Sequence, residues 1–225
     1  MDSEILTHTS IVTRIIAWAL LVTATLAAAE DLNINAQLLI AARNGDEVAV
    51  VRALDQGAAP NSRNRSGDSA LLMACKKALP SMARLLIERG ADVNQPSLEK
   101  VTPLMAAAYG NQNEIVQLLL ARGADRNATD RVSKTAMIYA AGQGHAEIVR
   151  TLLDAGVDPN AVYANKLTAL MWAAGYGHGK AVETLLAAGA KADLRDDRGK
   201  TALNIAEEAG QAETASLLRA HQARN

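Results

Sequence analysis

The chain has 225 residues, a formal net charge of −1, one cysteine and no phenylalanine. A nearly neutral charge excludes a general attraction to nucleic acid or to anionic membranes. A single cysteine, Cys75, excludes an internal disulfide. Abundant alanine without phenylalanine favours thin helical layers that pack closely.

The N-terminal segment differs from the rest of the chain. A polar start with Arg14 precedes the apolar stretch 15–26 and three alanines ending at Ala29, which is the order of a secretory signal peptide. We predict cleavage near Ala29, which reduces the 23 basic and 24 acidic residues to 22 of each. An uncleaved anchor stays open as an alternative, although the stretch is short for a span of ~20 residues.

Several residue types then recur every 33 residues, without gap or insertion, from residue 36 to 220. The hydroxyl series is Ser69, Thr102, Thr135, Thr168 and Thr201, and the alanine series is Ala41, Ala74, Ala107, Ala140, Ala173 and Ala206. The glycine series is Gly57, Gly90, Gly123, Gly156 and Gly189, and the leucine series is Leu86, Leu119, Leu152, Leu185 and Leu218.

Each series has a structural interpretation. A threonine before an apolar run caps a helix, and Pro103 after Thr102 suits the first helical position. The alanines follow one turn later, where small side chains let helices approach, and the leucines lie on the apolar stripe of a second helix. The glycines end that helix, and Asn94, Asn127 and Asn160 follow where a turn begins. Each unit is therefore predicted to be a pair of short antiparallel helices.

The stretch Gly175-Tyr-Gly-His-Gly-Lys180 is similar to a phosphate-binding loop but lacks its required residues. Ala174 stands where the first glycine is needed, and Ala181 replaces the Ser or Thr that holds Mg²⁺. It matches Gly144-His145 one period earlier, so we interpret it as the turn between two helices of a unit.

Thr-Pro-Leu-x-x-Ala-Ala at 102–108, Gly144-His145 and "GADVN" at 90–94 together resemble the ankyrin repeat. The resemblance covers roughly residues 33–221, or six units. It implies an all-α solenoid of helix pairs with β-hairpin or loop tips, and a protein partner held along the concave face. The residue three after each Thr, usually His in the family, is Leu, Met, Ile or Asn here.

The domain prediction is a signal peptide at 1–29 and a repeat domain at 30–225 whose end units act as polar caps. The resemblance to exported bacterial ankyrin-repeat chains implies a periplasmic or secreted protein. We expect a monomer when the chain is alone, with membrane contact only through an uncleaved N-terminal segment.

Candidates for chemistry are few. His145 and His178 are equivalent positions, and the resemblance implies a structural role for them rather than metal binding. Cys75 has no neighbouring Cys or His in the sequence, so we interpret it as an inert buried thiol. Glu207 and Glu208 are adjacent on a helix and point in different directions. We therefore predict no enzyme activity, no cofactor, no metal, no small-molecule substrate and no nucleic-acid partner.

Recognition is the better prospect, along helix ends and loop tips on the concave face. Tyr109 and Tyr176 are the strongest candidates, since tyrosine is favoured at interface hot spots, and Tyr163 lies near a tip. Tyr139 and Trp172 are expected to pack between helices, with Trp172 in the core. The predicted protein-binding residues are Arg65, Lys76, Lys77, Leu98, Glu99, Val101, Tyr109, Arg131, Lys134, Gln143, Asn165, Leu167, Tyr176, Asp197 and Arg198.

The sequence thus predicts a non-enzymatic scaffold or adaptor of the periplasm or envelope. A secreted effector that binds a host or competitor protein is the alternative, and an enzyme or redox protein stays open as a third interpretation.

Overall fold

The computed structural model describes residues 34–224, and the predicted signal peptide lies outside them. Hydroxyl caps begin the first helix of successive units. Thr102 Oγ1 accepts the Met105 N–H at 3.3 Å and Thr168 Oγ1 accepts the Met171 N–H at 3.3 Å, and Pro103 occupies the first turn as predicted. The described helices are α1 (34–44), α2 (Glu47–Asp55), α3 (Ala70–Lys76), α4 (Pro80–Glu88), α5 (Pro103–Tyr109), α6 (Asn113–Ala121), α7 (Ala136–Gly142), α8 (Ala146–Asp154), α9 (Ala169–Gly175), α10 (Gly179–Ala187), α11 (Ala202–Glu208) and α12 (Ala212–Gln222).

The helices form two layers. The inner layer contains α3, α5, α7, α9 and α11, each packed on the next, and the outer layer contains α4, α6, α8, α10 and α12 in the same order. The predicted small residues of the inner helices, such as Ala107 and Ala140, and the predicted leucines of the outer helices, such as Leu119 and Leu152, are fully buried. This all-α solenoid is the predicted fold class.

Asparagine side chains join the loops of neighbouring units. Asn94 Oδ1 accepts the Asp125 N–H at 2.7 Å, and Asn94 Nδ2 donates to the Gly123 carbonyl at 3.1 Å. Asn160 makes the equivalent pair of bonds one unit further on. The sequence predicted a turn at these positions but not these bonds.

Loops project from the inner layer, one before each inner helix, and we call them the tip loops. Within residues 34–224 the tips contain no β-strand; a single β-bridge joins Arg63 and Ser69, and Ala164–Lys166 forms a 3₁₀ turn. The prediction allowed β-hairpin or loop tips, and the described tips are loops. No helix in the described part of the chain has the length and apolar character needed to cross a membrane.

The two ends of the described solenoid differ. α12 buries Thr214, Ala215 and Leu218, and most of its exposed residues are polar. Near the other end, Ile40 and Val48 are exposed.

Candidate protein-binding groove

The predicted site residues lie at two places on one surface. Lys76, Lys77, Tyr109, Gln143 and Tyr176 are exposed where inner helices end. The others belong to tip loops, where Arg65, Leu98, Glu99, Arg131, Asn165, Asp197 and Arg198 are exposed and Val101, Lys134 and Leu167 are half-buried.

Backbone hydrogen bonds connect neighbouring tips. The Leu98 N–H donates to the Ser66 carbonyl at 3.0 Å, the Arg131 N–H to the Glu99 carbonyl at 3.2 Å, and the Asp197 N–H to the Asn165 carbonyl at 3.1 Å. These bonds fix the backbone at predicted binding residues, so the side chains project from a rigid surface.

Buried carboxylates organise two of the tips internally. Asp130 Oδ1 accepts the N–H groups of Val132 and Lys134 at 2.9 and 2.8 Å. Asp196 Oδ1 accepts the N–H groups of Arg198 and Lys200, both at 2.9 Å. Burial raises the pKa of Asp196, but hydrogen bonds from Lys200 and Arg198 and the Arg198 charge outweigh it and lower the pKa overall.

Tyr163 occupies the position equivalent to Asp130 and Asp196, one period from each. It is half-buried and packs against the core. The sequence predicted that this aromatic side chain lies near a tip. In the structure it packs against the core and does not extend an exposed aromatic surface.

The ends of the inner helices and the tip loops together form the surface that we call the groove. Its middle is lined by four aromatic side chains, Tyr109, Tyr139, Trp172 and Tyr176, which we call the aromatic cluster. Tyr109 and Tyr139 meet edge to face with ring centroids 5.8 Å apart. Trp172 and Tyr176 stack at 6.0 Å. The expectation that Trp172 lies in the core is wrong, because Trp172 and Tyr139 are half-buried and line the groove with the two exposed tyrosines.

Lys134 lies above two rings of the aromatic cluster. Its Nζ is 4.7 Å from the Trp172 ring centroid and 5.7 Å from the Tyr139 centroid, within the range of cation–π attraction. Among residues 34–224 no carboxylate comes within 4.0 Å of this ammonium group. The sequence marked Lys134 as a tip residue, but its contact with Trp172 joins residues from different units and has no local pattern.

The Tyr139 hydroxyl connects the aromatic cluster to the tip that carries Lys134. It donates to Asp130 Oδ2 at 2.6 Å. Burial and this bond to Asp130 both raise the pKa of Tyr139, so the phenol stays protonated and keeps donating. One carboxylate therefore positions both the tip backbone and the ring beneath it.

The surface is hollowed on both sides of the aromatic cluster. A cavity of about 480 Å³ is lined by Lys76, Val101, Met105, Ala106, Tyr109, Gly110 and Tyr139. A second, of about 230 Å³, is lined by Leu167, Met171, Trp172, Gly175, Tyr176, Arg198, Ile205 and Ala209. A narrower space of about 70 Å³ between them is bounded by the aromatic cluster, Lys134, Ile138, Gly142 and Gln143.

The candidates for chemistry occupy structural positions. His145 Nε2 donates to the Tyr109 carbonyl and His178 Nε2 donates to the Gly142 carbonyl, each at 3.0 Å. Each histidine thus joins its unit to the preceding one. Cys75 is fully buried, and burial raises its thiol pKa to about 12. Within the described residues no group of three or more His, Cys, Asp or Glu could hold a metal ion.

A stack of helix pairs with linked tips and a long groove on the inner layer is the architecture of a repeat protein that binds along one face. The sequence model described as Ankyrin repeats (3 copies) matches residues 38–130, 97–163 and 137–225. The chain therefore belongs to the ankyrin-repeat family, whose repeats are generally protein–protein interaction modules.

A relative supports the same family. Over 70 residues the chain is 40% identical to Ankyrin repeat and KH domain-containing protein mask-1 of Caenorhabditis elegans. The match covers 31% of this chain and spans only 3% of the length of that protein.

Proposed function

We propose that this chain is a non-enzymatic scaffold that binds a protein partner in the groove of its inner layer. The aromatic cluster carries the proposal, because Tyr109 and Tyr176 are 54% and 57% exposed although apolar cavities lie beside them. Tyrosine and tryptophan bury a large area at low entropy cost and dominate binding energies at interfaces.

Preorganisation is the proposed mechanism. Backbone hydrogen bonds join three pairs of neighbouring tips, and the bonds of His145 and His178 join helix ends. A surface held in this way loses little conformational entropy when a partner docks. The scaffold would protect, inhibit or position that partner.

The place of action is inferred from the N-terminal sequence. We infer six repeats that follow a cleaved signal peptide and act as a monomer in the periplasm or envelope. The same signal would serve a secreted effector that binds a host or competitor protein. Intact-mass measurement of the exported chain tests the cleavage, since a mature form that begins near Glu30 is expected and an uncleaved form would support the anchor.

The binding proposal is tested by crosslinking and mass spectrometry of a native envelope fraction. The informative variant is Tyr109→Ala with Tyr176→Ala, and we expect loss of crosslinks to the dominant protein partner. Tyr109→Ala removes the pair with Tyr139, and Tyr176→Ala removes the stacking with Trp172 and with His178. An aromatic pair is worth about 0.5–1.5 kcal/mol, so the fold should persist with a modest decrease in stability.

The matched control is Ile40→Ala with Val48→Ala, which removes exposed apolar side chains from the first unit. This control should leave the crosslinks intact. Crosslinks that survive in the tyrosine variant but disappear in the control would place the interface at the wrong end of the solenoid. A tyrosine variant that does not fold would show that these side chains serve the core.

A further inference from the structure

A pair of positions eight residues apart recurs in successive units of the groove, and its side chains meet where both are charged. In the second unit the pair is Asp68 and Lys76, joined by a salt bridge of 2.8 Å, and in the last it is Lys200 and Glu208, also ion-paired. The equivalent partner of Lys134 is Gly142, which has no side chain. At this pair of positions the charges of the second and last units are therefore paired internally, whereas the Lys134 charge in the middle is not.

Burial under a partner would affect these charges differently. Lys134 is already half-buried above Tyr139 and Trp172. A docked chain would remove its remaining water, and an ammonium group desolvated without a counter-charge is strongly unfavourable. A carboxylate from the partner would supply that counter-charge and the charge-assisted hydrogen bond.

Exposed cations on the same side also favour an acidic partner. Arg65 and Lys100 lie in the tips of the second and third units, and Lys77 lies at the end of α3. None of the three has a carboxylate within 4.0 Å among residues 34–224. This local excess of positive charge in a chain of net charge −1 would attract acidic segments and speed their association.

The cavity beside Lys134 defines the neighbouring residue of the ligand. Its walls include the apolar side chains Val101 and Met105 and the rings of Tyr109 and Tyr139. Its volume of about 480 Å³ is sufficient for a branched aliphatic or aromatic side chain. Tyr139 lines this cavity and is also 5.7 Å from Lys134 Nζ, so the two subsites are adjacent.

We propose that the groove binds an extended segment of a partner protein in which Asp or Glu lies close to a large apolar residue. The carboxylate would pair with Lys134, and the apolar side chain would enter the cavity lined by Val101, Met105, Tyr109 and Tyr139. Because an extended chain advances ~3.3 Å per residue, the two ligand residues should be one to three positions apart. This inference rests on the proposed protein-binding function and specifies its ligand.

The first test is selection from a display library of short random peptides against the full-length chain. Peptides enriched on the wild type should contain Asp or Glu within three positions of Leu, Ile, Met or an aromatic residue. Parallel selection on Lys134→Glu should lose the acidic residue, and selection on Tyr109→Ala with Tyr176→Ala should lose the enrichment altogether.

The second test measures affinity by fluorescence anisotropy with one enriched peptide. Lys134→Glu should weaken binding at least tenfold, and replacing the acidic residue of the peptide by Lys should restore part of the loss. Lys134→Met keeps an unbranched stem near the rings and removes the charge, so it isolates the electrostatic contribution if Lys134→Glu does not fold. Lys180→Glu, an exposed position on α10, is the matched control and should leave the affinity unchanged.

The outcomes separate this inference from the proposed function. Enriched peptides that lack acidic residues but still depend on Tyr109 and Tyr176 would overturn the inference and leave a protein-binding groove. Binding that ignores the tyrosines, or no enrichment, would count against both. Tighter binding of an oligothymidylate, which offers phosphates without an apolar side chain, would also overturn the acidic-peptide assignment.

Discussion

Asn94→Ala should reduce the stability of the solenoid because Asn94 joins two units. The substitution removes the bonds to the Asp125 N–H and the Gly123 carbonyl. A protein hydrogen bond contributes about 0.5–1.5 kcal/mol net, so two predict a loss of about 1–3 kcal/mol in the free energy of unfolding. For a domain of this size each kcal/mol lowers Tm by about 2–4 °C, which gives a total decrease of about 2–12 °C.

Asn127 provides the matched control. It occupies the equivalent position one unit later, and its N–H bonds Asp125 Oδ1 at 2.9 Å just as the Asn94 N–H bonds Asp92 Oδ1 at 2.8 Å. Its side chain makes no hydrogen bond to another described residue. Asn127→Ala should therefore change the free energy of unfolding by only about 0.5 kcal/mol or less, as is usual at surface positions.

Both variants should be measured by thermal unfolding followed by circular dichroism and by urea titration, beside the wild type. The difference between Asn94→Ala and Asn127→Ala isolates the bonds between units, because turn propensity changes equally in both. Equal shifts for the two variants would refute the idea that the asparagine side chains couple neighbouring units.

Three further predictions concern groups whose surroundings are unusual. Asp196 has a folded-state pKa below its usual range, so Asp196→Asn should be destabilising at pH 7. The difference in stability between variant and wild type should shrink as acid protonates Asp196. Urea midpoints measured against pH test this, and a difference that stays constant contradicts it. The Cys75 thiol, whose pKa is raised to about 12, should resist iodoacetamide at neutral pH until the chain is unfolded. Intact-mass measurement would show this, and rapid labelling of the folded chain would refute the burial of Cys75. Gly144→Ala should lower Tm more than Gly210→Ala. Both substitutions force alanine into the left-handed region, which costs ~1–2 kcal/mol. At Gly144 the added Cβ would also lie 2.6 Å from the His178 ring, whereas at Gly210 it would meet nothing within 4 Å. Equal Tm values would show that the His178 ring moves without cost.

The repeating pattern predicted most of the scaffold because each recurring residue has a local role. Thr102 caps its own helix, and Gly123 ends one with φ of +81°. Local roles of this kind depend only on residues a few positions away. They are therefore visible in a single sequence once the period is known.

The groove was harder to predict, since its contacts join different units. Trp172 was expected in the core from its place on α9, but the core around that helix is built from small and medium side chains such as Ala173 and Met171. A large indole ring beside such closely packed layers extends partly into the groove, where Lys134 covers it. The hydrogen bonds of the asparagine side chains were not predicted either, because a period locates equivalent positions without showing which residues they contact.

Asp130 organises the middle of the groove, where we propose that a partner binds. Its carboxylate is buried, and it holds the backbone of Lys134 and the hydroxyl of Tyr139 at the same time. The equivalent carboxylate of Asp196 instead binds the guanidinium of Arg198 at 2.8 Å, so its charge is compensated within its own tip. Lys134 corresponds to Lys200, which is ion-paired with Glu208, whereas Gly142 stands at the position of Glu208. Without that carboxylate, the Lys134 ammonium has no ion pair among residues 34–224 and lies above the rings of Tyr139 and Trp172, while Asp130 holds the backbone beneath it.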